Sequence, residues 1–234
     1  MRKSHYYKAS FSIKKTGIIP QISDFLESDI NHSQLKNWEY DDSKFDPNFK
    51  TIELNNRAKY TDAIIPITFT SHKCHILSKE GIDFWLDHNI PDYIVCNVSV
   101  KKKSTEARHY YILKLLSDGA EYIDVNSTKF SIWNDLTKKS RAHSLDSEML
   151  YKVLSREVYP FKYPEVFIVD HLVIKADVNY DAIPTSIFST GLVVSEKVKT
   201  NMEKSSLNFF DFTPLDGQNG RPLVSKKDDK LIEG

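Results

Sequence analysis

The chain has 234 residues, 40% hydrophobic and 27% charged, which is an ordinary globular composition and excludes wholesale disorder. Its 32 basic residues balance 32 acidic ones, so the chain as a whole lacks the basic excess with which nucleic-acid binders neutralise phosphate. Two cysteines are too few for a disulfide framework, and seven glycines leave little for phosphate-cradling loops.

In chain order, the start through Ile13 alternates as a strand does. It carries the charge of a signal n-region, but Ala9-Ser10-Phe11-Ser12-Ile13-Lys14-Lys15 is not an uninterrupted apolar stretch. Gly17-Ile18-Ile19-Pro20 reads as a turn into a helix carrying Ile22, Phe25, Leu26 and Ile30. Residues 24–62 are acid-rich, with nine acidic residues against five basic ones, and include Trp38-Glu39-Tyr40-Asp41-Asp42 and Asp46-Pro47-Asn48, which read as loop. A strand follows over 63–69. Cys74 to Glu80 then leads into a helix to about His88, with Ser78 as its cap and Ile82, Trp85 and Leu86 on one face. The strand Tyr93 to Val98 comes next. Residues 108–116 read as a strand, 130–133 as a shorter one, and Leu145 to Leu154 as an amphipathic helix ended by Pro160 and Pro164. Val166 to Lys175 is strand-like.

Near the C-terminus, 191–197 precedes a helix with Val198 and Met202, then 207–212. Ser195 lies 117 residues after Ser78, half the chain length, so a duplicated strand–capped helix–strand unit and convergent use of one local motif both account for the echo. The interleaving predicts an α+β fold, with a mixed or mainly antiparallel sheet and packed helices. Residues 1–62 are expected to form a strand, helix and acidic loop on a main α+β domain at 63–215, with a polar tail over 216–234. No segment reaches the roughly 20 apolar residues needed to span a bilayer. A cytoplasmic location with no membrane partner is the expectation.

The chemistry-bearing residues are sparse. His72-Lys73-Cys74-His75 is the densest run of metal-type ligands, but strand alternation lets at most two of them meet one ion. No metal or other cofactor is expected. No G-x-S-x-G turn and no activated thiol context is present, so no catalytic residue is singled out and the chain is read as a binding protein, not an enzyme. Lys101-Lys102-Lys103 and Lys138-Lys139-Ser140-Arg141 have the charge to contact phosphate, but solvated loops or a hairpin tip are the ordinary reading, and no nucleic-acid partner is expected. Trp38, Glu39, Tyr40, Asp41 and Asp42 suit a surface for a cationic partner, because aromatics anchor interfaces and acids steer association. The ordinary alternative is a solvated loop whose aromatics tuck into the core.

Three segments carry a family resemblance: 110–116 with 122–127; 166–169 through Asp181-Ala182-Ile183-Pro184 to 186–188; and 193–199 ending at 207–214. In that order, over residues 108–214, they resemble a bacterial domain family, formerly of unknown function, now grouped with the immunity proteins of polymorphic toxin systems. Ser205-Ser206-Leu207-Asn208 stands where that family has a glycine near the end of its last helix. The resemblance implies an immunity protein that binds and neutralises a cognate toxin domain in the cytosol, without a cofactor. If that toxin is cationic, Trp38 to Asp42 is the expected contact. An enzyme of unrecognised type and an adaptor of a secretion system are the alternatives. The matched residues read as scaffold, so no binding residue is carried over from them, and the oligomeric state is not legible.

Overall fold

The computed structural model describes residues 6–12, 21–26, 51–64, 73–103, 105–117, 119–146, 148–149, 164–185, 191–207 and 209–215. They form thirteen strands and two α-helices: β1 (Tyr6–Phe11), β2 (Ile22–Leu26), β3 (Thr51–Leu54), β4 (Ala63–Ile64), β5 (Cys74–Leu77), α1 (Lys79–Leu86), β6 (Tyr93–Lys102), β7 (Arg108–Leu115), β8 (Lys129–Asn134), β9 (Lys139–His143), β10 (Glu165–His171), β11 (Ala182–Pro184), β12 (Gly191–Ser195), α2 (Glu196–Lys204) and β13 (Phe210–Pro214). They build a six-stranded sheet ordered β2-β3-β6-β7-β5-β4, a four-stranded sheet ordered β11-β12-β1-β13, and a three-stranded sheet ordered β10-β8-β9.

The protein is therefore mostly β, and the expected α+β fold of packed helices and strand–helix–strand units is overturned. The reason lies in the pairing. Strands β5 and β6 flank α1 but are not neighbours, because β7 runs between them; β12 and β13 flank α2 with β1 between them. Each helix thus depends on a strand from elsewhere in the chain. Of the helix expected to carry Ile22, Phe25, Leu26 and Ile30, residues 22–26 are strand β2, antiparallel to β3, so a sheet partner overrides the helical spacing there, and Ile30 lies outside the described residues. The predicted helix over 145–154 falls largely outside the described residues.

Two compact units divide the chain: residues 1–119 with 179–212, and residues 120–178 with 213–234. In the first, α1 lays Ile82 and Trp85, and α2 lays Val198 and Met202, into a core shared with Ala9, Leu77, Leu113, Leu192, Val194 and Phe210. Strand β7 is apolar on both faces because both are covered. Leu113 and Leu115 face this core, while Tyr110 and Ile112 face a second one with Ile52, Ile76, Val98 and Val100. In the other unit, β8 pairs antiparallel with both β9 and β10, and an Arg141–Glu165 ion pair of 3.0 Å lies on the sheet. Strand β9 falls in the basic run expected to be loop. No helix among the described residues is long and apolar enough to cross a membrane.

Candidate functional site

Both helices begin in the same way. Ser78 caps α1: its Oγ accepts from Gly81 N–H at 3.1 Å and donates to Asp62 Oδ1 at 2.9 Å, while its N–H donates to the Asp62 carbonyl at 2.9 Å. Ser195 caps α2 by the same three bonds, to Val198 N–H at 3.4 Å, Asp181 Oδ1 at 2.8 Å and the Asp181 carbonyl at 2.9 Å. In each case the aspartate stands immediately before an edge strand, β4 or β11.

The two aspartates differ in what else they hold. Asp181, 7% exposed, also accepts from Lys197 Nζ at 2.7 Å and from the Asn89 N–H at 3.0 Å. Burial alone would push its carboxyl up, but the bonds from Lys197, Asn89 and Ser195 outweigh burial and hold it below the ordinary range. Every one of those partners is structural, and Asp181 joins the C-terminal end of α1 to the start of α2. The same junction holds His88, whose Nδ1 is 2.7 Å from the Phe84 carbonyl and whose Nε2 is 3.0 Å from Asn201 Nδ2. These two contacts hold the ring between α1 and α2.

Asp62, by contrast, opens onto a shallow recess of about 290 Å³ lined by Tyr60, Asp62, Lys79, Glu80, Arg108 and His109, among others. Its centre is Tyr60. The Arg108 guanidinium carbon lies 4.1 Å and Lys102 Nζ lies 5.2 Å from the centre of that ring. The Tyr60 hydroxyl is fixed by Thr105 Oγ1 at 2.9 Å and by the Lys102 N–H at 3.2 Å. Lys79 is occupied by an ion pair with Asp83 one helical turn on. Arg108 is exposed and has no carboxylate partner among the described residues.

Several polar groups of the recess are already engaged. The Tyr110 hydroxyl donates to the Thr61 carbonyl at 2.9 Å, and burial, chiefly, pushes its pKa up to about 12, so it holds its proton through the physiological range. The Ser78 hydroxyl is consumed by its cap and by Asp62, and the His109 ring packs edge-on against Tyr111 at 4.8 Å. A guanidinium stacked on an aromatic ring, by contrast, keeps its planar donor fork pointing outward for a carboxylate or phosphate.

Of the residues the sequence singled out, Trp38, Glu39, Tyr40, Asp41 and Asp42 lie outside the described residues. In the former metal-type run, Cys74 and His75 are both buried on β5, and among the described residues no three His, Cys, Asp or Glu side chains gather as a cation would require. Lys101 and Lys102 close strand β6, and the chain returns as β7 from Arg108, so the run does border a hairpin. Sequence reading missed the Tyr60–Arg108 stack. The two residues are 48 positions apart, and only the β6–β7 register and the return of 55–62 bring them together. No known family model matches the chain, and no curated protein matches it in sequence.

Proposed function

We propose that the protein is a cytoplasmic immunity protein that binds and neutralises a cognate bacterial toxin domain, with the Tyr60–Arg108 surface as part of the contact. The observation that carries the contact is the stacked, exposed Arg108, which makes no ion pair among the described residues. Tyrosine and arginine are the residue types that dominate interface energetics, and a pre-stacked guanidinium loses less freedom on pairing with a partner's carboxylate. Lys102, 5.2 Å from the Tyr60 ring, adds a second positive charge to the same surface. The toxin reading itself is supported by the sequence resemblance over residues 108–214. The acidic-aromatic segment Trp38 to Asp42 is proposed as a second contact, suited to cationic ground on the same partner.

The test is an affinity pull-down of the tagged chain from its native cells. One stoichiometric partner, encoded by an adjacent gene and toxic when expressed alone, is expected. Arg108→Glu is expected to weaken that complex by roughly a hundredfold, in keeping with loss of an interface anchor. Absence of any stoichiometric partner would overturn the immunity reading. Undiminished binding by Arg108→Glu would overturn the assigned contact alone.

A further inference from the structure

Among the described residues, β13 is an edge strand of the four-stranded sheet. In the six-stranded sheet, the strand following α1, β6, carries β3 in parallel along its outer side, with Thr51 opposite Ser99 and Ile52 opposite Val100. The strand following α2, β13, occupies the corresponding place beside β1, but no strand lies on its outer side among the described residues. The Ser12 N–H donates to the Phe209 carbonyl at 2.9 Å, so the Phe209 peptide faces β1. By strand alternation the peptide groups of Phe210 and Phe212 turn the other way, outward.

Beside that edge lies a groove of about 350 Å³, lined by Lys199, Met202 and Glu203 of α2, by Leu207, and by Phe210, Asp211 and Phe212 of β13. Met202, Leu207 and Phe210 are buried beneath it, and Phe212 is its half-buried apolar wall. On α2, Lys199 and Glu203 pair with each other at 3.0 Å, and Lys199 also lies 5.2 Å from the centre of the Tyr7 ring, so neither charge needs a partner from outside. Asp211, between the two phenylalanines, is exposed and makes no ion pair among the described residues.

We infer that β13 accepts an extended segment of another protein as a fifth strand. The segment would alternate apolar side chains, which enter the groove against Phe210, Phe212 and Met202, with basic ones that meet Asp211. Such strand addition draws affinity from main-chain hydrogen bonds and selectivity from the pockets that take alternate side chains. A second copy of this chain is the poorer occupant. Its own β13, Phe-Asp-Phe-Thr-Pro, would bring a second Asp211 and no basic residue to the edge. The inference does not rest on the toxin-binding reading, whose residues lie on another sheet.

The experiment is a titration of the ¹⁵N-labelled full chain with the synthetic peptide acetyl-Ile-Lys-Ile-Lys-Val-amide. Saturable shifts of the Phe210 and Phe212 amides are expected, with their hydrogen exchange slowed about tenfold. The exposed substitution Asp211→Lys should weaken binding roughly fivefold at low salt. The same peptide N-methylated at alternate residues should not bind, since it cannot complete the ladder. No saturable shift up to about millimolar peptide, equal binding of the N-methylated peptide, or sedimentation showing that the free chain dimerises through β13 would each overturn the inference.

Discussion

Replacing Asp181 with alanine is expected to cost about 3 kcal/mol, because one buried carboxylate serves three donors. Its bonds to the Asn89 N–H and the Ser195 hydroxyl, both charge-assisted, are each worth about 1–1.5 kcal/mol. Lys197 adds less, about 0.5 kcal/mol, because its side chain is 56% exposed and water screens the pair. Losing the bond that orients Ser195 also slackens the α2 cap, which alone is worth about 1 kcal/mol. These effects share atoms and do not simply add. Asp181→Asn keeps an acceptor and should cost about half as much, and Lys197→Ala under about 1 kcal/mol. The assay is urea unfolding followed by tryptophan fluorescence in a Trp38→Phe, Trp133→Phe background, which leaves the buried Trp85 to report on the unit that holds Asp181. The pH dependence has a definite sign. The folded carboxyl lies below its unfolded value near 3.8, so its contribution is full above that value and disappears as pH falls through the lower, folded one. The gap between wild type and Asp181→Asn should therefore close in that acid window. A loss below about 0.5 kcal/mol for Asp181→Ala, or a gap that stays constant into acid, would refute the reasoning.

Other expectations follow from the same geometry. At Gly81 a Cβ would lie 2.7 Å from the Asp62 carbonyl oxygen, so Gly81→Ala should push the Asp62 bracket off α1 at a cost of about 1–3 kcal/mol, read as a lower urea midpoint at constant slope. Tyr110 should ionise near 12 in the folded protein by ultraviolet titration, against an ordinary value of 10. The stability it lends is complete below 10 and is lost as pH rises through 12, and Tyr110→Phe should abolish that alkaline dependence while costing about 1 kcal/mol at neutral pH.

Local grammar was legible in the sequence, and pairing was not. Ser78 and Ser195 announced two helix caps because a serine hydroxyl ahead of an apolar periodicity has one ready use, the unpaired N–H of the first turn. Strands β6 and β7 showed in their β-branched and aromatic runs. Strand β3, Thr51-Ile52-Glu53-Leu54, was hidden inside an acid-rich stretch whose charge argued for loop, although Ile52 and Leu54 are fully buried. Strand β9 was hidden by its lysines and arginine, which suit an edge facing water as well as they suit a loop. The fold class failed for the same reason. Spacing shows that a helix lies between two strands, but it carries no sign that a third strand will separate them. The Tyr60–Arg108 stack was invisible because neither residue has a local signature, and the acidic-aromatic candidates at 38–42 fall outside the described residues.

Strand β1 lies at the interior of the four-stranded sheet, with Lys8 opposite Val193, a separation of 185 residues. On a ribosome that strand is made long before β12 and β13, and it waits for them before its neighbours exist. Meanwhile Leu77, Ile82, Trp85 and Leu113 have no α2 or β13 to cover them. Closing a sheet over so long a separation is slow, and the half-built unit offers apolar surface and open edges until the last strand arrives. Completion of β12 and β13, not the appearance of the first elements, therefore sets when this unit can close, and a chain stalled before β12 would be a substrate for chaperones.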